Sequence, residues 1–400
     1  MKRYWFSILL VIFILGSVGT YYVTAASRSF PEYKLLTVSG DDNEAKSLEI
    51  QGDSKEYGSL DITAKGSVYF QERSFFDSFK ENEMFKYSPD LQQMLKDHRN
   101  FMRGKKTYNG FYQDAKVLAY ADIKGGNNYN NRKYQLSVST LDLAANDKIS
   151  FTVSLPEQEK YVWVNTADVQ VKGKTMYVLT YNLNKSSGNQ QEIHVYKVDL
   201  NKKSIAEDQL MLADKRMDDG TSISYQLLQS SQSSASTELL VYQKSTQTFT
   251  KDKDGNEQLK GMEQEIFTYN YATGKSESVK KLPATTNSDS ANDYVQVYGS
   301  GESIIELANG GTSTNVKIFN VIDKSERSFE IPSISSPTSV VVYGDRLYAA
   351  KPDGDTTKVV IADLTRGKVV YTGTVDINEQ GDKRAKLLKN LDFQWMYIVK

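Results

Sequence analysis

Apolar and polar residues alternate with a period of two along most of the chain, in short runs bounded by glycine, asparagine or aspartate. A period of two puts every second side chain on the same face, which is the signature of a half-buried strand. Residues 358–375 are a clear case. β-Branched residues flank Asp363-Leu-Thr-Arg-Gly-Lys368, and Val369, Tyr371 and Val375 share one face, so the spacing predicts a hairpin. Variants of it recur at 136–155, 193–212, 266–282 and 316–331, which makes the hairpin part of a repeating unit.

A second motif precedes several of these hairpins. Val169-Gln-Val171-Lys-Gly173, Val295-Gln-Val297-Tyr-Gly299 and Val340-Val-Val342-Tyr-Gly344 each lead to an apolar strand, at 176–179, 304–307 and 347–350. Ala64-Lys-Gly66-Ser-Val-Tyr69 resembles an early copy of the same turn. The unit therefore has four strands, two around the glycine turn and two in the hairpin. With Asp142, Asp199, Asn270, Asn320 and Asp363 as equivalent hairpin positions, it recurs every roughly 40 to 70 residues, the shorter intervals matching a four-stranded blade. The longest unit contains a polar run at 243–264, expected to be an extended hairpin or loop. Residues 386–389 and 393–399 supply two strands with no hairpin after them, and 33–50 can supply the missing pair, joining the two ends of the chain.

One region departs from the alternation. Within 71–109, Ser88 is placed to cap a helix and Pro89 to open it; Leu91, Met94, Leu95, His98, Phe101 and Met102 form one stripe before Gly104 stops it. Phe75, Phe76, Phe79 and Phe85 form a second apolar set upstream. This is a small α-helical insertion in an all-β chain.

Four-stranded units of this length, the Val-x-Val-x-Gly turn, the Asp-x-x-x-Gly-Lys hairpin and split terminal strands resemble the β-propeller class, especially bacterial extracytoplasmic propellers without a signature motif. The resemblance covers 33–400. No Trp-Asp dipeptide or kelch double glycine is present, so no catalytic residue is carried over. It implies a single β-propeller of six four-stranded blades, or seven if 57–110 form one of their own. Two β-sandwich domains are the alternative, since they too give short strands and frequent turns.

The N-terminus adds a location. Lys2 and Arg3 precede 4–23, which carry no charge; about twenty such residues span a ~30 Å hydrocarbon layer as a helix. The positive end is expected in the cytoplasm, with Trp5, Tyr21 and Tyr22 at the two interfaces. The expected organisation is 1–26 as cytoplasmic tip and transmembrane helix, 27–32 as a short tether, and 33–400 as the extracytoplasmic propeller. The alternative is a signal peptide cleaved after Val23-Thr24-Ala25 or Thr24-Ala25-Ala26, leaving a secreted protein. The uncharged run exceeds the ~7 to 15 residues of a signal core, which favours the anchor.

Composition then narrows the chemistry. Lys plus Arg number 49 against 50 Asp plus Glu, so no global field recruits nucleic acid. Cysteine is absent, which removes disulfides, thiolate ligands and a lipidated cysteine. His98 and His194 are the only histidines. The first is read as a packing residue on the helical stripe and the second as structural or solvent-facing, without partners for a metal set. Asp252-Lys-Asp254-Gly-Asn256 has part of a calcium-loop spacing, but Glu257 stands where that loop requires glycine, so it is read as a hairpin tip. Ser278-Val-Lys-Lys281 has a nucleophile spacing that works only on a helix, and it lies in a strand pattern. No catalytic, cofactor-binding or metal residue is assigned.

The candidate contact residues lie in the insertion. Phe75, Phe76, Phe79, Met94 and Phe101, with Arg99, Arg103, Lys105 and Lys106 close by, suit packing under the ring, contact with an anionic membrane surface, or docking of a partner helix. The expected function is a membrane-anchored extracytoplasmic binding or sensing platform whose partner is an envelope protein or a wall sugar or peptide. The alternative is an extracytoplasmic carbohydrate hydrolase or lyase with paired carboxylates at the propeller axis; a passive scaffold is the third reading.

Overall fold

The computed structural model describes residues 5, 9–16, 30–73, 85, 88–125, 133–185, 190–228, 234–283, 285–286, 295–332 and 334–399. Among the described residues the strands form six antiparallel sheets that follow one another along the chain. Sheet I joins Leu391–Ile398 to Leu48–Ser54, Gly58–Ile62 and Ser67–Tyr69. Sheet II holds Phe111–Gln113, Val117–Lys124, Gln135–Asp142 and Asp147–Ser154; sheet III holds Tyr161–Lys172, Thr175–Asn184, Gln191–Asp199 and Ser204–Ala213. Sheet IV is built on Thr221–Leu227, Leu239–Lys251, Glu257–Asn270 and Lys275–Lys281, with Lys215–Arg216 and Thr285–Thr286 added at its margins. Sheet V holds Gln296–Ser300, Ser303–Asn309, Thr314–Asn320 and Glu326–Ile331; sheet VI holds Ser339–Tyr343, Arg346–Asp353, Thr356–Asp363 and Lys368–Ile377, with Tyr33–Gly40 as a fifth strand.

Consecutive four-stranded meanders closed by pairing the chain ends are β-propeller topology. The apolar residues lie between successive sheets. One cluster joins sheets II and III through Val138 and Val178, another III and IV through Val195 and Tyr242, and others IV to V, V to VI and VI to I. The opposite face of sheet II is covered by the insertion: Phe85, Leu91, Met94, Phe101 and Met102 pack on Phe111, Leu118, Tyr120 and Leu141.

The repeated hairpin has one mechanism. The aspartate or asparagine ending the third strand bends its side-chain oxygen over the turn and accepts backbone N–H groups two and three residues on: Asp142 from Ala144 and Ala145, Asp199 from Asn201 and Lys202, Asn270 from Ala272 and Thr273, Asn320 from Ile322 and Asp323. Asp363 takes the Arg366 amide in the same way. Four residues after each, the backbone is left-handed, at Asn146, Lys203, Gly274, Lys324 and Gly367. The short polar side chain replaces a missing backbone acceptor, which is why these positions are aspartate or asparagine.

Several expectations need correction. Gly173 and Gly344 make the turn after the first strand of sheets III and VI, but in sheet V the left-handed residue is Gly301, and Gly299 lies within the strand. The turn at Gly66 joins Gly58–Ile62 to Ser67–Tyr69, the outer pair of sheet I, so it is no copy of the inner turn. Residues 386–389 are not a strand; they end the helix Gly381–Lys389, whose Leu387 and Leu388 are buried and whose Lys386 and Lys389 suit the negative helix end. The chain ends do meet, but over two sheets: Leu48–Ser54 pairs with Leu391–Ile398, while Tyr33–Gly40 pairs with Lys368–Ile377. The stripe 91–102 is two helices, Pro89–Asp97 and Arg99–Met102, broken at His98 (φ −130°, ψ 44°). Ser88 and Pro89 start the first as expected, with Ser88 accepting the Leu91 amide. The polar run at 243–264 is the outer part of the long hairpin of sheet IV, with a tip in which Asp252 accepts the Asp254 and Asn256 amides.

Candidate functional site

The first strands of the sheets and the turns after them converge on a cavity of about 630 Å³. Sheet II contributes Phe111, sheet III Asp168, Gln170 and Tyr181, sheet V the turn Ser300-Gly301-Glu302, and sheet VI the turn Val342-Tyr343-Gly344. The glycine turns of sheets V and VI therefore reach the site because they end axial strands. Sheet IV adds Ser236, Thr237 and Glu238 from the segment between its first two strands, and the insertion adds Asp90 and Tyr108.

Hydrogen bonds hold this wall together across the ring. The Gln113 amide donates to the Ser234 carbonyl at 2.8 Å, and Gln113 bridges Ala235 in parallel. The Thr237 amide donates to the Gln170 side-chain oxygen at 2.9 Å. Asp90, in the first turn of its helix, accepts the Tyr343 hydroxyl at 3.0 Å and the Ser234 amide at 3.4 Å. The insertion thus reaches the axis through one carboxylate while its apolar face stays on sheet II.

Asp168 is the most perturbed acid of the cavity. It accepts the buried Tyr271 hydroxyl at 2.5 Å and the Gln170 amide at 3.2 Å. Burial pushes its carboxyl above the ordinary aspartate range despite these donors, and burial together with the Asp168 charge pushes the Tyr271 phenol up as well. Among the described residues, the carboxylates of Asp90, Asp168, Glu238 and Glu302 line the cavity, and no lysine, arginine or histidine does. Glu238 is exposed and lies 3.8 Å from Lys172. An arrangement of this kind can accept hydrogen bonds and hold positive charge.

His194 forms a separate cluster on the face of sheet III toward sheet II. It is 5% exposed. Nδ1 lies 2.7 Å from Asp208 and Nε2 lies 3.1 Å from Glu192 and 3.2 Å from the Tyr161 hydroxyl. Both ring nitrogens are engaged by carboxylates, so this is an ion-pair cluster rather than a free ligand. The sequence reading of His194 as structural stands, and its solvent-facing form does not. Glu192 was legible as a same-face neighbour two residues away; Asp208 is on the next strand and gave no signal.

The expected contact residues divide. Phe75, Phe76 and Phe79 lie outside the described residues. Met94 and Phe101 are 1% and 2% exposed in the core on sheet II, so in this structure they pack against the ring and present no surface. Arg99, Arg103 and Lys106 are exposed. Lys105 is turned inward: its ammonium donates to the Phe101 carbonyl and sits 3.9 Å from the Phe101 ring centre. Burial first, then Lys148 and Lys124, lower its pKa to about 8. The sequence reading missed the axial cavity because its walls come from five sheets and the insertion.

Residues 9–16 are helical, with Leu9, Leu10, Val11, Ile12, Phe13, Ile14 and Leu15 all exposed. The rest of the expected span 4–23, apart from Trp5, lies outside the described residues. Among the described residues no helix is long and apolar enough to cross a membrane.

No family model matches the chain, and no curated protein matches it. Among solved structures it is similar to an uncharacterised protein from Listeria monocytogenes, at 10% identity over 67% of each chain with a TM-score of 0.31. It is also similar to the acylaminoacyl peptidase of Pyrococcus horikoshii, at 15% identity and a TM-score of 0.33, over 65% of this chain and 38% of that one, so the chain spans well under half of the peptidase. The β-propeller domain of the trilobed protease from Pyrococcus furiosus matches at 14% identity over 68% of this chain and 77% of that one, with a TM-score of 0.34. Likeness this distant carries no argument about function; the strand order itself places the chain in the β-propeller class.

Proposed function

We propose that the chain is a membrane-anchored extracytoplasmic binding or sensing platform whose ligand enters the axial cavity. The six sheets are read as the six blades of one ring over 33–400, with 71–109 as its insertion. The carrying observation is the cavity itself, lined by residues from five sheets and the insertion, most of the sheets contributing polar groups; convergence of this sort at a propeller axis is how such a fold makes a ligand site from separate repeats. The anchor reading is supported by the uncharged run 4–23 and by the exposed apolar side chains of 9–16, a surface that water does not favour. Contact with a neighbouring envelope protein through Arg99 and Arg103 belongs to the same reading.

Two measurements test it. Full-length chain with a C-terminal tag is expected in the membrane fraction at full mass, with the tag digested by protease added to spheroplasts; release at lower mass overturns the anchor. A thermal-shift panel of wall sugars and stem peptides on the full chain in detergent is expected to contain a stabilising ligand whose effect is lost in Gln170→Ala.

The hydrolase or lyase reading draws on one observation, a half-buried Asp168 with a raised pKa in a cavity that also holds Asp90, since a general acid needs such a shift. Release of reducing ends from purified wall glycan, abolished by Asp168→Asn, supports it; binding without turnover removes it.

A further inference from the structure

Resting on the reading of the axial cavity as a binding site, we propose that its ligand carries an organic ammonium group, a primary or quaternary amine seated against Asp168. Two independent features of the lining converge on this class. The first is charge. Among the described residues, Asp168 has neutral side-chain donors at its carboxylate, the Tyr271 hydroxyl and the Gln170 amide, and the lining contributes no lysine, arginine or histidine. Hydrogen bonds from neutral groups do not cancel the charge of an ionised carboxylate, and inside a wall of low dielectric such a carboxylate attracts a cation far more strongly than it does in water.

The second feature is aromatic. Tyr108, Phe111, Tyr181 and Tyr343 line the same cavity. Ring faces carry negative charge density, and amines and methylated amines are recognised by such rings when water is displaced. A carboxylate alone would suit any hydrogen-bond donor, and rings alone would suit any apolar group; the pair selects a soft organic cation. A cavity of about 630 Å³ also leaves room for the body of a larger molecule that bears the amine.

The test compares charged and neutral ligands of matched shape on the full chain in detergent micelles, by calorimetric titration at pH 8. The probes are choline against 3,3-dimethylbutan-1-ol, and butylamine against butan-1-ol. Each ammonium is expected to bind at least tenfold more tightly than its neutral counterpart. Asp168→Asn is expected to remove that difference, and Tyr181→Leu, which leaves the carboxylate in place, to weaken choline several-fold; the second variant serves if the first does not fold. Equal affinity within both pairs, or an Asp168→Asn chain that still prefers the cation, overturns the ammonium class. If wall sugars or peptides stabilise the chain while no amine binds, the ligand class falls and the binding-site reading stands. If nothing in either panel binds, both fall.

Discussion

Arg346 and Glu44, 302 positions apart in the chain, meet in a two-point ion pair, with Nε 2.8 Å from Oε2 and Nη2 3.0 Å from Oε1. Arg346 also lies 3.2 Å from Asp363, the hairpin aspartate of its own sheet. One guanidinium therefore ties the segment after Tyr33–Gly40 to sheet VI. Both side chains of the pair are about four-fifths covered, at 20% and 22% exposure. Paired, planar geometry of this kind is stronger than an ordinary surface bridge. Arg346→Met is expected to cost about 1–3 kcal/mol, because it takes the cation from Glu44 and leaves Asp363 only the more distant Arg366, at 3.8 Å. Urea unfolding measures the loss, and hydrogen exchange should rise first in 33–45.

The His194 cluster makes stability depend on pH. Burial, the largest single effect, pulls its pKa down, but hydrogen bonds and charge from Asp208 and Glu192 together outweigh it and hold the pKa above the ordinary histidine value. A folded pKa above the unfolded one gives stability that is fully present below about pH 6.5, the unfolded value, and is lost as pH rises through the folded value. Urea midpoints of the natural chain should fall across that window relative to His194→Gln. Parallel pH profiles of the two chains would show that the imidazolium contributes nothing.

Asp168 gives a dependence of the same sign in a lower pH window. Burial raises the folded pKa of Asp168 above its unfolded value, so its ionisation disfavours the folded state as pH climbs above the unfolded aspartate range. Tyr271→Phe removes the strongest donor and is expected to raise that pKa further. The loss is about 1–2 kcal/mol at neutral pH and smaller in acid, where the carboxyl is protonated. Carbon NMR of the Asp168 carboxyl reads the pKa, and thermal melts at pH 4 and 7 read the stability.

The left-handed position of the recurring hairpin is filled by Lys203 and Lys324 in two copies and by Gly274 and Gly367 in two others. An L-residue there costs about 1–2 kcal/mol, partly offset by the extra chain entropy that glycine loses on folding. Lys203→Gly and Lys324→Gly are each expected to stabilise by about 0.5–1 kcal/mol, and Gly367→Ala to destabilise by about 1 kcal/mol. Chemical denaturation of the four chains ranks them; a Lys203→Gly chain weaker than the natural one sinks the argument.

The sequence alone determined what depends on neighbours along the chain. Period-two alternation set the strands, since each side chain's face follows from its position. The aspartates and asparagines at 142, 199, 270, 320 and 363 marked the hairpins, because one side chain closes its own turn within three residues. Ser88 and Pro89 opened their helix for the same local reason.

The tertiary structure decided what depends on distant segments. Residues 386–389 became helical where Leu387 and Leu388 are buried in the core shared by sheets VI and I. Tyr33–Gly40 joined sheet VI rather than the closing sheet because its partner edge, Lys368–Ile377, was free to pair. Met94 and Phe101, candidates for a surface, were drawn inward by the open face of sheet II. Asp168, Tyr271, Asp90 and Tyr343 are scattered over more than 250 positions and meet at the axis. Strand order carries them there, and nothing within a strand's own pattern records which other strand will face it.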